Sequence, residues 1–283
     1  MIQLLAIDID GTLLDSEGRV PQANADAIAR ASAAGIEIAL ATGRRYDFAR
    51  PVFEALPGPL TLILSNGAIV KMRDGTTVMK RLLPRDIALG VLARVPHHRD
   101  GTAVTFDRPR EGQVVFEAID WDHPRHGRFF AANRPYVSAV SPIEACLTED
   151  PVQLMFSGGC DEMRHVFDQL RGDPSYAATL TEYLHRDFSL VDIIRAGCSK
   201  GAALAEWAAR RGITREHVMA IGDNMNDLDM LEFAGTAVVM GNGCDALKAR
   251  GWSVTATNDE CGLARAVEEH VPPSSVRLPA RSQ

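Results

Sequence analysis

Cysteine is scarce in this 283-residue chain: Cys146, Cys160, Cys198, Cys244 and Cys261 are odd in number, widely spaced and without a CxxC pair. That argues against a disulfide framework or a zinc ribbon, and scattered thiols suit a reducing compartment. Long apolar runs are also lacking. No stretch of 18 apolar residues is present, so no transmembrane helix is expected. The opening residues Met1-Ile2-Gln3-Leu4-Leu5-Ala6-Ile7 carry no basic region and meet Asp8 too soon for a secretory signal, which makes cytoplasmic the expected location. Basic residues are not in excess either. Lys and Arg number 30 against 37 Asp and Glu, for a formal charge of −7. Nucleic-acid binding, whose footprint is basic, gains no support from that balance. A small anionic ligand stays open, because one local cation can outweigh a mildly negative surface.

The composition is otherwise that of a globular chain, 46% hydrophobic and 24% charged, long enough for one large or two modest domains. Residues 2–9 read as a buried strand ending in Asp8-Ile9-Asp10-Gly11-Thr12. A helical pattern over 22–34 stops at Gly35, a second strand over 36–41 ends at Thr42-Gly43-Arg44, and a short helix covers 47–56. A third strand, Thr61-Leu62-Ile63-Leu64, ends at Ser65-Asn66-Gly67. Such alternation predicts a parallel sheet covered on both faces. Segments 68–72 and 76–82 flank Arg73-Asp74-Gly75 as a hairpin. Residues 84–186 form a mixed stretch, with strand-like runs at 102–106, 113–119, 152–156 and 177–181 and helical patterns near 87–95 and 161–170. Alternation resumes with a helix over 199–211, a strand over 218–221 and further short elements to 270. The expected division is therefore an α/β core from 1–82 and 187–271, an α+β insert over 83–186, and a disordered tail at 272–283.

In open α/β sheets ligands bind beyond the carboxyl ends of the strands, and every unusual polar cluster here falls at such an end. Asp8 and Asp10 sit at i and i+2, on the same side of an extended backbone. Their repulsion calls for a divalent cation, and oxygen ligation suits Mg²⁺; a turn-forming Asp at a strand end is the plain alternative. Gly222-Asp223-Asn224-Met225-Asn226-Asp227 opens a helix, where Asn and Asp are ordinary caps. Yet Asp223, Asp227 and Asp229 exceed what one cap needs, and with Asp8 and Asp10 they make a hard-cation set. Lys200 begins a helix, where a cation opposes the macrodipole unless an anion lies near; taken alone it reads as a solvated surface lysine. Thr42-Gly43 and Ser65-Asn66-Gly67 read alone as turns. Gly241-Asn242-Gly243-Cys244-Asp245-Ala246 matches the dinucleotide fingerprint, but it falls late in the chain with no acid ending a clear following strand, so NAD or FAD binding is not expected.

Taken in order, Asp8-x-Asp10-Gly11-Thr12, Thr42, Lys200 and Gly222-Asp223-x-x-Asn226-Asp227 resemble the four motifs of the haloacid dehalogenase superfamily. Ala41-Thr42-Gly43-Arg44, Ser65-Asn66-Gly67-Ala68, Ser199-Lys200-Gly201 and Met240-Gly241-Asn242-Gly243 are similar to its Cof-type branch, with Gly243 in place of the more usual alanine. The resemblance covers residues 2–82 and 187–270 and implies a Rossmann-like parallel sheet core with an inserted α+β cap domain. It further implies Mg²⁺-dependent hydrolysis of small phosphomonoesters such as sugar phosphates, with Asp8 as nucleophile and Asp10 as acid and base. Mg²⁺ would be held by Asp8, the Asp10 carbonyl and Asp223, with Asp227 supporting from behind. Phosphoryl oxygens would be held by the Ile9 and Gly43 N–H groups, Thr42, Lys200 and Asn226. The cap is expected to close over the site and choose the leaving group. Arg108, Arg110, His123, Arg125 and His126 are candidate contacts, each also readable as a plain loop charge. A phosphomutase and a non-catalytic phosphate-binding module are the rival readings. The partner is a small phosphorylated metabolite, with neither nucleic acid nor membrane expected.

Overall fold

The computed structural model describes residues 1–271, so the tail read as disordered lies outside the described residues. In chain order the elements are β1 (Leu4–Asp8), α1 (Gln22–Ala33), β2 (Glu37–Ala41), α2 (Tyr46–Glu54), β3 (Thr61–Leu64), β4 (Ile69–Met72), β5 (Thr77–Lys80), α3 (Arg85–Arg94), β6 (Thr102–Thr105), β7 (Val114–Phe116), α4 (Gly127–Ala132), β8 (Val137–Ala139), β9 (Gln153–Gly158), α5 (Cys160–Leu170), β10 (Tyr176–Tyr183) and β11 (Phe188–Arg195). There follow α6 (Lys200–Arg210), β12 (Val218–Gly222), α7 (Leu228–Phe233), β13 (Thr236–Val239), α8 (Asp245–Lys248), β14 (Ser253–Val254) and α9 (Gly262–His270). No described helix is long and apolar enough to cross a membrane.

The chain packs as two compact units, Met1–Met79 with the segment from Ser199 onward, and Lys80–Cys198. The first holds an eight-stranded sheet in the order β14-β13-β12-β1-β2-β3-β4-β5. The six strands from β14 to β3 run parallel, and β4 turns back antiparallel on β3. Strand order reverses at β1: the chain first builds outward through β2 and β3, then returns to lay β12 on the other side. This is the topological position at which α/β sheets bind ligands. Leu4, Ala6, Ala39, Ala41 and Ile63 pack with Leu204, Trp207 and Ala208 of α6 and Met230 and Leu231 of α7. The alternate residues Leu5, Ile7, Ile38, Leu40 and Leu62 are buried as well, so neither face of the sheet meets water.

The second unit is a six-stranded sheet, β10-β11-β9-β6-β7-β8, antiparallel except where β7 meets β8. Val91 and Leu92 of α3 and Met163, Val166 and Leu170 of α5 pack with Val104, Leu154, Phe156, Val191 and Ile193. Phe130 of α4 packs separately with Ala103, Val114, Phe116 and Val137. The unit extends beyond the boundary of 186 expected from patterning. β11 pairs with β9 on one side and β10 on the other, burying Val191 and Ile193, so the chain leaves this sheet only after Arg195. At the other junction the division falls at Met79 rather than residue 82. Patterning also passes over α4 and β8, six and three residues long and too short to show a period.

Candidate active site

Register alone gathers the motif residues of the first unit. Asp8 pairs with Ala41 across β1 and β2, Ala41 with Ile63, and Ile7 with Ile221 of β12. Asp8, Thr42 and Asp223 therefore leave the sheet at neighbouring strand ends, with strands spaced ~4.8 Å apart. Beyond Asp8 the chain makes a wide turn closed by the Leu14 N–H donating to the Ile9 carbonyl at 3.0 Å. Gly11 stands in that turn at φ +85°, and a Cβ there would collide with the Asp223 carboxylate. The turn thus brings its backbone directly against the loop after β12, a contact that only glycine permits.

Lys200 is no surface lysine. It opens α6 behind the N-cap Ser199, whose hydroxyl accepts from the Ala202 N–H at 3.0 Å. Its side chain is fully buried, and Nζ donates to Asp8 Oδ1 at 2.6 Å and to Asp227 Oδ1 at 2.7 Å. The anions that offset the unfavourable dipole are these two carboxylates. The start of α6 reaches them because Gly67, at φ +95°, lies against the Ser199 carbonyl with no room for a side chain.

Asp227 serves two purposes. As the third residue of the turn after Asn224 it completes a capping box, and its Oδ2 accepts from the Asp223 N–H at 3.0 Å and the Asn224 N–H at 3.2 Å. Its Oδ1 holds Lys200. The hexapeptide thus caps its helix, as ordinary Asn and Asp do, and through the same Asp227 holds the buried cation. Thr12 Oγ1 donates to Asp223 Oδ1 at 3.3 Å. One oxygen each from Asp8, Asp223 and Asp227 lie within 4.8 Å of one another. The Asp10 and Asp229 carboxylates are outside this group. Asp10 instead faces Arg44, whose Nε and Nη2 hold its two oxygens at 2.8 and 2.6 Å.

The phosphate-side candidates gather at the ends of β2 and β3. The Asn66 N–H donates to the Thr42 carbonyl at 3.0 Å, and the Arg44 N–H to Thr42 Oγ1 at 3.1 Å. The Asn66 amide lies against Gly43 and accepts from Asn226 Nδ2 at 3.4 Å. Thr42, Gly43 and Asn226 thus share one neighbourhood, joined by Asn66.

A model of haloacid dehalogenase-like hydrolases matches residues 5–267. The chain belongs to this family. Among curated relatives, pyridoxal phosphate phosphatase YbhA of Escherichia coli is 31% identical, over 95% of this chain and 98% of that one. The Bacillus subtilis 5-amino-6-(5-phospho-D-ribitylamino)uracil phosphatase YcsE is 29% identical over 95% and 96%. The solved phosphatase BT1666 of Bacteroides thetaiotaomicron superposes with a TM-score of 0.76 at 28% identity, covering 95% of each chain. A haloacid dehalogenase-like hydrolase from Bacillus subtilis, at 23% identity and a TM-score of 0.81, shares the fold. This haloacid dehalogenase-like hydrolase is a phosphoric monoester hydrolase acting on small phosphorylated metabolites.

In the hydrolase's site three carboxylates face one ammonium, and burial together with the surplus negative charge raises Asp8 and Asp223. Burial first, then Asp227 and Asp10, push Asp8 up to about 7 against the pull of Lys200. Burial and then the Asp8 and Asp227 charges hold Asp223 well above the usual carboxylate range. Burial alone would lower the Lys200 ammonium, but Asp227 and Asp8 outweigh it and hold it above the ordinary lysine range. Asp8 Oδ2 and Asp223 Oδ2 accept no hydrogen bond among the described residues. Uncommitted hard oxygens in a charge-rich pocket fit a hard divalent cation.

The Arg44 fork on Asp10 and the Asn66 link lie outside the sequence-derived set. Arg44 and Asn66 both stand in motifs quoted there, but their partners lie 34 and 160 residues away and leave no local signal. Of the five candidate contacts in the second unit, Arg108 is committed to Glu149 at 2.7 Å and lies over the Phe106 ring. His123 stacks on His126, and His123 Nδ1 accepts the Arg125 and His126 N–H groups. His126 is driven down to about 4 by burial, then by His123 and Arg125, so its ring is neutral at pH 7. Arg110 is exposed.

Proposed function

We propose that the chain hydrolyses small soluble phosphomonoesters, such as sugar phosphates, with Asp8 as nucleophile. The observation that carries this reading is the buried Lys200 ammonium bridging Asp8 and Asp227 at the strand ends, beside the free oxygens of Asp8 and Asp223. A carboxylate meets an anionic phosphoryl group only where fixed positive charge offsets the repulsion, and phosphoryl transfer depends on positioning and neutralisation. Lys200 supplies one such charge. Asp227 holds it from behind and ties it to the Asp223 loop.

An Asp8 oxygen attacks phosphorus, the ester P–O bond breaks, and Asp10 gives its proton to the departing alcohol oxygen. Water then attacks the phosphorus of the aspartyl-phosphate, Asp10 takes its proton, and Asp8 leaves as the free carboxylate. The Ile9 and Gly43 N–H groups, the Thr42 hydroxyl, Lys200 and Asn226 hold the phosphoryl oxygens during transfer. The Arg44 fork takes both Asp10 oxygens as acceptors, so one of them leaves Arg44 when Asp10 carries the proton to the departing oxygen. Mg²⁺ bound by Asp8, the Asp10 carbonyl and Asp223 would supply Lewis-acid neutralisation of the phosphoryl charge.

The test is phosphate release from a panel of hexose and pentose phosphates, pyridoxal 5′-phosphate and p-nitrophenyl phosphate, using the full chain. Release is expected with Mg²⁺, lost with EDTA and absent in Asp8→Asn. Wild-type turnover by Asp8→Asn refutes the nucleophile. Conversion of a hexose 1-phosphate to the 6-phosphate without phosphate release refutes hydrolysis.

A further inference from the structure

The loop at Met240–Gly243, which in sequence looks like a dinucleotide fingerprint, joins the two loops that carry the carboxylates. Asn242 Nδ2 donates to the Gly11 carbonyl at 2.8 Å, directly after Asp10. Asn242 Oδ1 accepts the Asn258 N–H at 2.9 Å, and Asn258 Nδ2 donates to the Leu14 carbonyl at 2.9 Å. From a third direction the buried Asn24 donates to the Leu13 carbonyl at 3.0 Å and accepts the Ala264 N–H at 3.1 Å. Three asparagine amides from distant segments thus grip the Gly11, Leu13 and Leu14 carbonyls. The same loop holds the other side of the site: the Cys244 N–H donates to the Asp223 carbonyl at 2.9 Å and the Met240 N–H to the Gly222 carbonyl at 3.0 Å.

The turn that displays Asp10 has little regular structure of its own. Asp10 sits at φ −85°, ψ 114° and Gly11 at φ +85°, neither of them helical. Besides the Leu14–Ile9 bond that closes the turn, its peptide planes are set by outside partners, and the one that holds the Gly11–Thr12 peptide, next after Asp10, is Asn242. An acid–base group is effective only within hydrogen-bond reach of the atom it serves, so a small rotation of this segment would be felt at the leaving oxygen. We infer that Asn242 is a positioning residue for leaving-group protonation, fixing the backbone from which Asp10 reaches the ester oxygen. The inference rests on the reading of Asp10 as the general acid.

Leaving-group dependence tests it. An alkyl phosphate needs its oxygen protonated as it departs, whereas p-nitrophenolate leaves well without a proton. The ratio of kcat/KM for the best alkyl phosphate to that for p-nitrophenyl phosphate reports the proton transfer and is blind to a general loss of folded enzyme. Asn242→Ala should lower this ratio about 3- to 10-fold, the scale of one lost neutral hydrogen bond. Asn242→Asp keeps the acceptor for the Asn258 N–H and loses the donor to Gly11, so it should lower the ratio too; it also serves if the alanine variant fails to fold. Asp10→Asn, run alongside, should lower the ratio by a larger factor. If Asp10→Asn leaves the ratio unchanged, the general-acid reading falls and this inference with it. If Asp10→Asn lowers the ratio while both Asn242 variants leave it at the wild-type value, the inference alone is overturned.

Discussion

Replacing Asp8 by Asn should stabilise the metal-free chain, by an amount that grows with pH. Asp8 lies at about 7 in the folded protein against an ordinary 3.8, chiefly because it is buried and next because Asp227 is near. Between those two values the native state keeps a proton that the unfolded chain releases. Native stability therefore falls as pH rises through that window, and the loss is complete above 7. Asn carries no such liability. The amide should leave a small, fixed difference near pH 4 and an advantage on the order of 2–4 kcal/mol by pH 8. Urea unfolding of both proteins in EDTA, at intervals from pH 5 to 8, measures the difference directly. Saturating Mg²⁺ should then stabilise the wild type more at pH 8 than at pH 5, since the carboxylates must lose their protons to bind it. A difference in EDTA that stays flat or shrinks as pH rises would refute the argument, because it would mean that the ionised Asp8 is already compensated by Lys200.

Two further outcomes follow from the packing. Lys200→Met leaves Asp8 and Asp227 buried without their shared cation, and should cost about 3–5 kcal/mol in urea unfolding at pH 7.5 along with all phosphate release; a cost under ~1 kcal/mol would show that water reaches these carboxylates. Gly11→Ala forces a side chain at φ +85° into the Asp223 carboxylate. It should lose about 1–3 kcal/mol of stability and most of its activity, and wild-type phosphate release would show that the turn can back away from Asp223 at no cost.

Much of the first unit is legible in the sequence because its strands are short apolar runs bounded by helix signals. Gly35 after α1 is a plain example: it takes φ +83° and ends the helix where the pattern stops. The second unit is less legible. Its antiparallel strands are partly covered on both faces, so alternation blurs, and α4 and β8 fall below the length at which a period can be read. β11 is instructive: the expected boundary at 186 gives its residues to the core, because nothing local tells which sheet they join. Only pairing with β9 and β10 decides that, and it moves the end of the unit from 186 to 198.

The residues of the candidate site divide along a similar line. Asp8 stands out with Asp10 as paired carboxylates at a strand end and Asp223 with Asp227 as acids beyond the need of a cap, whereas Thr42 and Lys200 read alone as a turn and a surface lysine and join the set only through the order of the motifs. Lys200 is the sharpest case. Its position at a helix start is unfavourable by itself, and the structure resolves the conflict with two carboxylates, one 192 and one 27 residues away. Local rules broken without local compensation thus mark where distant partners must exist. Arg44 and Asn242 break no local rule. An arginine in a loop and an asparagine between glycines are what turn chemistry predicts, and only their membership of the quoted motifs sets them apart, without saying what they do. Their part emerges only when the fold sets one against the Asp10 carboxylate and the other against the carbonyl that follows it. Clustered carboxylates are therefore visible in advance, the buried cation only through the motif it belongs to, and the roles of residues that orient the site through hydrogen bonds only in three dimensions.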